Sequence, residues 1–207
     1  MRDMTMAELY ELLNSKKFQD TEEGDLFYNF FIYQYEADRE YEMREQIIEF
    51  KRNLKRPTSY VDVLTIDIFD EFCNFLDRKK FLRHPSMLKY LRDKEDADPE
   101  TAGSVQDTLS RNAHSKDFIK YLHERIMEHK EIKDGLKRPY VFLYGIGAMY
   151  PYLRVNDLLA IYEDFNISNA YKLLVFYPGN SVRNSFSLFG MLPDHHTYRA
   201  IRLVNED

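Results

Sequence analysis

The sequence predicts an α/β fold: one domain over residues 1–207 with a mostly parallel sheet flanked by helices. Three observations carry that expectation. Strand-length apolar runs alternate along the chain with segments of helical period. Two of those runs, YVFLYGIG (140–147) and KLLVFYP (172–178), show no polar alternation, as in strands covered on both faces. The strand–helix–strand–helix order favours parallel pairing through right-handed crossovers.

The elements follow in order. Residues 5–13 place Met6, Leu9, Leu12 and Leu13 on one face, with Thr5 and Glu8 at capping-box spacing, so a short helix is expected. LFYNFFIYQY (26–35) is aromatic and β-branched and reads as a strand. The helix after it repeats Met43, Ile47, Phe50 and Leu54, leads with acids, closes with bases, and ends before Pro57. YVDVLTIDI (60–68) is a second strand and 69–82 its helix. Residues 84–115 form a helical, partly flexible insertion, in which acidic 93–104 reads as a loop between short helices. SKDFIKYLHERIMEHKEI (115–132) returns to helical period, with Phe118, Tyr121, Leu122 and Ile126 inward and Gly135 beyond as terminator. After the strand at 140–147 come a helix at 155–165, the strand at 172–178 and a last strand at 197–204.

Composition narrows the function classes. Hydrophobic residues make up 44% of 207, enough for a core without disulfides or metal. Sixteen Tyr and fifteen Phe with no Trp put aromatic mass in that core. A net charge of −6 argues against a dedicated nucleic-acid binder. Cys73 is the only cysteine, which suits a reducing cytoplasm. Asp3 and Glu8 interrupt the opening, so it does not read as a secretion signal, and no run of about 18 apolar residues suggests a membrane span.

The chemistry-bearing motifs fail one by one. A phosphate loop needs G-x-x-x-x-G-K-[ST] after the first core strand. The text there is EADREYEMR, without glycine and rich in carboxylates. Counting from Gly179 finds Asn184 and Ser185 where Gly and Lys belong. Gly145-Ile-Gly147 lacks the third glycine of a dinucleotide fingerprint. Gly179-Asn180-Ser181-Val182-Arg183 lacks the closing glycine of a nucleophile elbow, and His195 and His196 read as a polar turn. His123 and His129 are six apart, on opposite helix faces, so they read as surface histidines rather than a zinc pair. Asp67, Asp70 and Glu71 read as helix-capping carboxylates rather than a Mg²⁺ site, and Cys73 as a small core residue. The basic runs KRNLKR (51–56), DRKKFLR (77–83) and LKR (136–138) read as solvated helix ends. No catalytic residue, metal ligand or cofactor emerges. The outline is a degenerate P-loop/Rossmann-like core without its phosphate loop.

YVFLYGIGAMYPYLRVNDLL (140–159), LLVFYPGNSVRNSFSLFG (173–190) and YRAIRLV (198–204), with FFIYQYEADREYEMREQIIEFKRNLK ahead of them, resemble the BrxB family. That family is a small component of the bacteriophage-exclusion (BREX) systems of bacteria. The specific part is a YP-x-LR turn, then FYPG, LFG and YRA-x-R. The resemblance implies a cytoplasmic, non-catalytic accessory subunit in phage defence. Its partners would be other BREX proteins, above all the alkaline-phosphatase-like component PglZ, with a homodimer also open. A degenerate nucleotide-binding domain and a DNA-contacting subunit are the alternatives. The motif residues are Tyr150, Pro151, Leu153, Arg154, Tyr177, Pro178, Gly179, Arg183, Leu188, Phe189, Gly190 and Arg199. Tyr150, Tyr152, Arg154, Tyr177 and Arg183 are the natural interface anchors. Arg154 and Arg199 have an alternative use as internal ties between loops.

Overall fold

Side-chain alternation along three central strands divides the core in two. The computed structural model describes residues 2–15, 30–54, 63–132, 140–164, 171–182, 185–193, 201–202 and 204–205. Strands β2 (Phe30–Tyr35), β3 (Val63–Asp67), β4 (Tyr140–Tyr144) and β5 (Lys172–Val182) join β8 (Ile201–Arg202) in a parallel sheet of order β3-β4-β5-β2-β8. Successive residues of a strand point to opposite faces. Phe31, Tyr33 and Tyr35 of β2, Tyr140 and Phe142 of β4, and Leu174 and Phe176 of β5 therefore pack on one side. They meet helices α1 (Met6–Asn14) and α2 (Glu40–Leu54) through Leu9, Leu13, Met43, Ile47 and Phe50. Ile32, Val141, Leu143, Leu173, Val175 and Tyr177 point the other way. They meet α3 (Ile68–Arg78), α4 (Met87–Ala97), α5 (Ala102–Ala113), α6 (Lys116–Ile132) and α7 (Val155–Asp164).

The split by faces follows from the strand order. From β2 the chain crosses two strands to the sheet edge at β3, then walks back through β4 to β5. Right-handed crossovers in opposite directions put their helices on opposite faces. The crevice at the reversal therefore opens at the C-terminal end of β2.

Local chemistry sets the boundaries. Thr5 and Glu8 form the expected capping box on α1. Asp67 closes β3 and caps α3. Gly145, at φ +77°, ends β4. The acidic stretch 93–104 is not a loop: α4 runs on to Ala97, a 3-10 turn covers Pro99–Thr101, and α5 begins at Ala102. Asp98 caps that turn with Pro99 behind it, Lys94 reaches the Ser104 hydroxyl at 2.6 Å, and Leu91 and Val105 are buried. The carboxylates line the solvated side of helices whose narrow apolar stripe faces the core.

The largest departure lies at β5, which does not stop at Pro178. Leu173–Pro178 pair with β2, and Gly179–Val182 continue antiparallel to β6 (Ser185–Leu188), which pairs with β7 (Leu192–Pro193). Period-two alternation in Ser185-Phe186-Ser187-Leu188 was the available signal. A separate two-stranded ribbon joins β1 (Arg2–Asp3) to β9 (Val204–Asn205). The parts of the first and last expected strands at 26–29 and 197–200, and Gly135, Leu136–Arg138, His195 and His196, lie outside the described residues.

Candidate functional site

The crevice after β2 is where an α/β core of this kind would hold an anion. In this chain a 3-10 turn, Ala37–Arg39, leads into α2 there, and its flanks carry Glu36, Asp38, Glu40 and Glu42. The central cation is committed. Arg44 donates from Nε to Glu40 at 3.0 Å and from Nη1 to Asp67 at 2.7 Å, and its guanidinium lies 5.5 Å over the Tyr144 ring. The Tyr35 hydroxyl donates to the other Glu40 oxygen. Burial, and then that carboxylate, hold the Tyr35 phenol well above its ordinary range. Asp67 is 8% exposed at its side chain, and its second oxygen accepts from the Phe69 and Asp70 amides at 3.0 and 3.4 Å. Asp67 is thus a cap and an ion-pair partner together. An approaching phosphate would meet carboxylates and a guanidinium that two of them already engage.

The neighbouring groups are structural in the same way. Glu71 accepts from the Tyr121 hydroxyl at 2.5 Å and pairs with Arg125 at 3.6 Å; burial and that bond push the Tyr121 phenol up to about 12. Burial raises the Cys73 thiol, which disfavours its thiolate form. His123 is not a plain surface histidine. It is half-buried against the Tyr171 ring, with Nδ1 at 3.4 Å from the hydroxyl, and burial lowers its pKa. Among the described residues, no group of three or more His, Cys, Asp or Glu is placed to hold a metal ion.

The motif residues collect instead on a ledge over the C-terminal ends of β4 and β5. After Gly145 a 3-10 turn, Ile146–Met149, buries Ile146 and Met149; a cis Tyr150–Pro151 bond follows, and fully buried Leu153 pins the turn to the core. Phe189 folds back from the β5–β6 hairpin, as its apolar character predicts. Its amide donates to the Pro178 carbonyl at 2.8 Å, and its ring stands edge-on to Tyr150 at 6.4 Å. Gly147 makes the room: a Cβ there would lie 2.9 Å from the Phe189 ring and 3.2 Å from Pro178. Arg154 is an internal tie. It donates to the Pro193 carbonyl at 3.1 Å while its guanidinium sits 5.8 Å over Tyr150.

The motif residues therefore divide by depth. Leu153, Tyr177, Pro178 and Leu188 are buried and hold the ledge up, with Tyr177 edge-on to Phe186 at 5.7 Å. Tyr150, Pro151 and Gly190 are exposed, and Tyr152, Arg154, Gly179 and Phe189 are half-buried. Arg183 and Arg199 lie outside the described residues. Tyr177 thus sits beneath the surface rather than on it. At Gly179 the constraint is space: a Cβ would stand 2.1 Å from the Ser187 carbonyl oxygen. Met191, 76% exposed in the turn between β6 and β7, belongs to the same surface, and its sequence context carried no signal for it.

The sequence model of one family, "BREX protein BrxB", matches residues 64–203. The chain belongs to the BrxB family. A curated BrxB, "BREX protein BrxB" of Bacillus cereus (strain H3081.97), is 23% identical over 180 residues, which cover 86% of this chain and 84% of the relative. No solved structure matches. The span matched to BrxB contains the whole described ledge and the Asp67 cap, whereas β2 and the Glu40–Arg44 pair precede it.

Proposed function

We propose that this BrxB protein is a non-catalytic accessory subunit of a BREX phage-defence complex, docking a protein partner through the ledge at the C-terminal edge of its sheet. The carrying observation is the depth pattern just described. The BrxB motif residues converge from two separate turns, some buried as supports, with Tyr150 exposed and Phe189 and Arg154 half-buried beside it. Tyr and Arg on rigid supports are what interface hot spots are made of. The partner we assign is the alkaline-phosphatase-like component PglZ, in the cytoplasm.

The test is co-expression with that component and gel filtration of the pair. Co-elution is expected, and Tyr150→Ala or Arg154→Ala should weaken it about tenfold or more, the range for losing one anchor. Independent elution of wild-type protein and partner at micromolar concentration sinks the assignment. The competing nucleotide-binding reading is checked by thermal melts with ATP, GTP and Mg²⁺, where an unmoved midpoint is expected because Arg44 is already neutralised.

A further inference from the structure

We infer that this protein self-associates head to tail, the α3–α4 turn of one copy docking in the α1–α2 groove of the next. The knob is a built feature. Residues 77–94 carry seven Lys and Arg against two Asp in a chain whose net charge is −6. Their turn is held by a bridge between Phe81 and His84, by the His84 amide on the Phe81 carbonyl at 2.9 Å, and by Tyr90, whose ring meets Phe81 at 4.6 Å and His84 at 5.1 Å. At its tip Leu82 is 84% exposed with φ +52°, in the left-handed region that a leucine rarely enters. A strained apolar side chain held out into water on a rigid support motivates a functional reading. Exposed Lys80 and Arg83 flank it, with no carboxylate partner among the described residues.

The receptor is the complementary object. Between α1 and α2 runs an open groove of about 320 Å³, at the small end of the range that encloses a ligand. Met6, Tyr10 and Phe50 give it an apolar floor, and exposed Glu11 and Glu49 stand at its rim without a cation partner among the described residues. An apolar tip between two cations thus matches an apolar floor between two anions. The two cannot meet within one molecule, because α1 and α2 cover one face of the sheet and α3 and α4 the other. Such a contact is heterologous, so it propagates into rings or filaments rather than closing as a two-fold dimer. It also leaves the ledge free. α3 leaves the C-terminal edge at Asp67, and its 11 residues carry the chain about 16 Å away before the turn.

Sedimentation velocity of wild-type protein up to about 200 µM should show association that grows with concentration. Raising salt from about 50 to about 500 mM should weaken it. Leu82→Glu destroys the knob and keeps the groove; Glu11→Lys/Glu49→Lys destroys the groove and keeps the knob. Each alone should raise the dissociation constant at least about tenfold. Their 1:1 mixture should stop at a dimer, since each copy retains one working half. Arg83→Glu serves as a second knob variant, and unchanged circular dichroism and melting midpoints show that the variants fold. A wild type that stays monomeric at the highest concentration overturns the inference, as does a mixture that stays monomeric. A monomer that instead shifts duplex DNA at low salt also overturns it, reassigning the turn to a polyanion.

Discussion

Replacing Gly179 by alanine tests how the ledge is built. The new Cβ would lie 2.1 Å from the Ser187 carbonyl oxygen, where ordinary contact begins near 3.4 Å. The β5–β6 pairing must therefore open by roughly 1.3 Å, the difference between those distances. The neighbouring bond from the Phe189 amide to the Pro178 carbonyl, now 2.8 Å, would stretch past 4 Å at that displacement and cease to be a hydrogen bond. Losing it costs about 1 kcal/mol, and overpacking adds about 1–3 kcal/mol. The lower entropy of the unfolded alanine chain offsets about 0.4–1 kcal/mol. The net is a loss of about 1–3.6 kcal/mol, and at about 2–4 °C per kcal/mol for a domain of this size the Tm falls by about 2–14 °C. Urea unfolding and calorimetry read both quantities. Gly179→Asn should be at least as damaging, because the obstacle is space. At Gly190, where φ is +71°, the obstacle is conformation, so asparagine should be tolerated better than alanine. A Gly179→Ala protein within about 0.5 kcal/mol of wild type would refute the steric account.

Three further predictions concern the core and the crevice. Arg44→Met leaves Asp67 and Glu40 without their cation; since Arg44 is 34% exposed at its side chain, the cost should fall between surface and buried pairs, about 1.5–3 kcal/mol by urea unfolding, and adding Asp67→Asn should recover part of it. Phe142 is fully buried between Phe50 and Phe176, at 5.5 and 5.3 Å, so Phe142→Ala should cost about 3–5 kcal/mol and Phe142→Leu distinctly less. His123 has its pKa lowered by burial, so on acidification the unfolded state takes the proton first, and stability falls as pH drops through the ordinary histidine range near 6.5. His123→Phe keeps a ring against Tyr171 and should flatten that part of a stability–pH curve; an unchanged slope would assign it to other groups.

The fold class and most elements were legible in the residue pattern, because period is a local property. The unbroken run Tyr140-Val141-Phe142-Leu143 announces a strand covered on both faces, and Thr5 with Glu8 announces a helix start. The four ordered motifs were likewise enough to place the chain among the BrxB proteins. Composition misled where local polarity and tertiary role diverge, as in acidic 93–104, which runs through two helices seated by Leu91 and Val105 just outside it. The strand order, and with it which face each helix covers, came from the folded chain alone, since both depend on pairings between residues far apart in the chain. Folding alone brought Arg44 to Asp67 across 23 positions and Arg154 to Pro193 across 39, and it gave Gly179 its reason. A spacing pattern records which way a side chain points on its own element; what stands opposite is set by packing, and the chemistry of this protein's surface depends on what stands opposite.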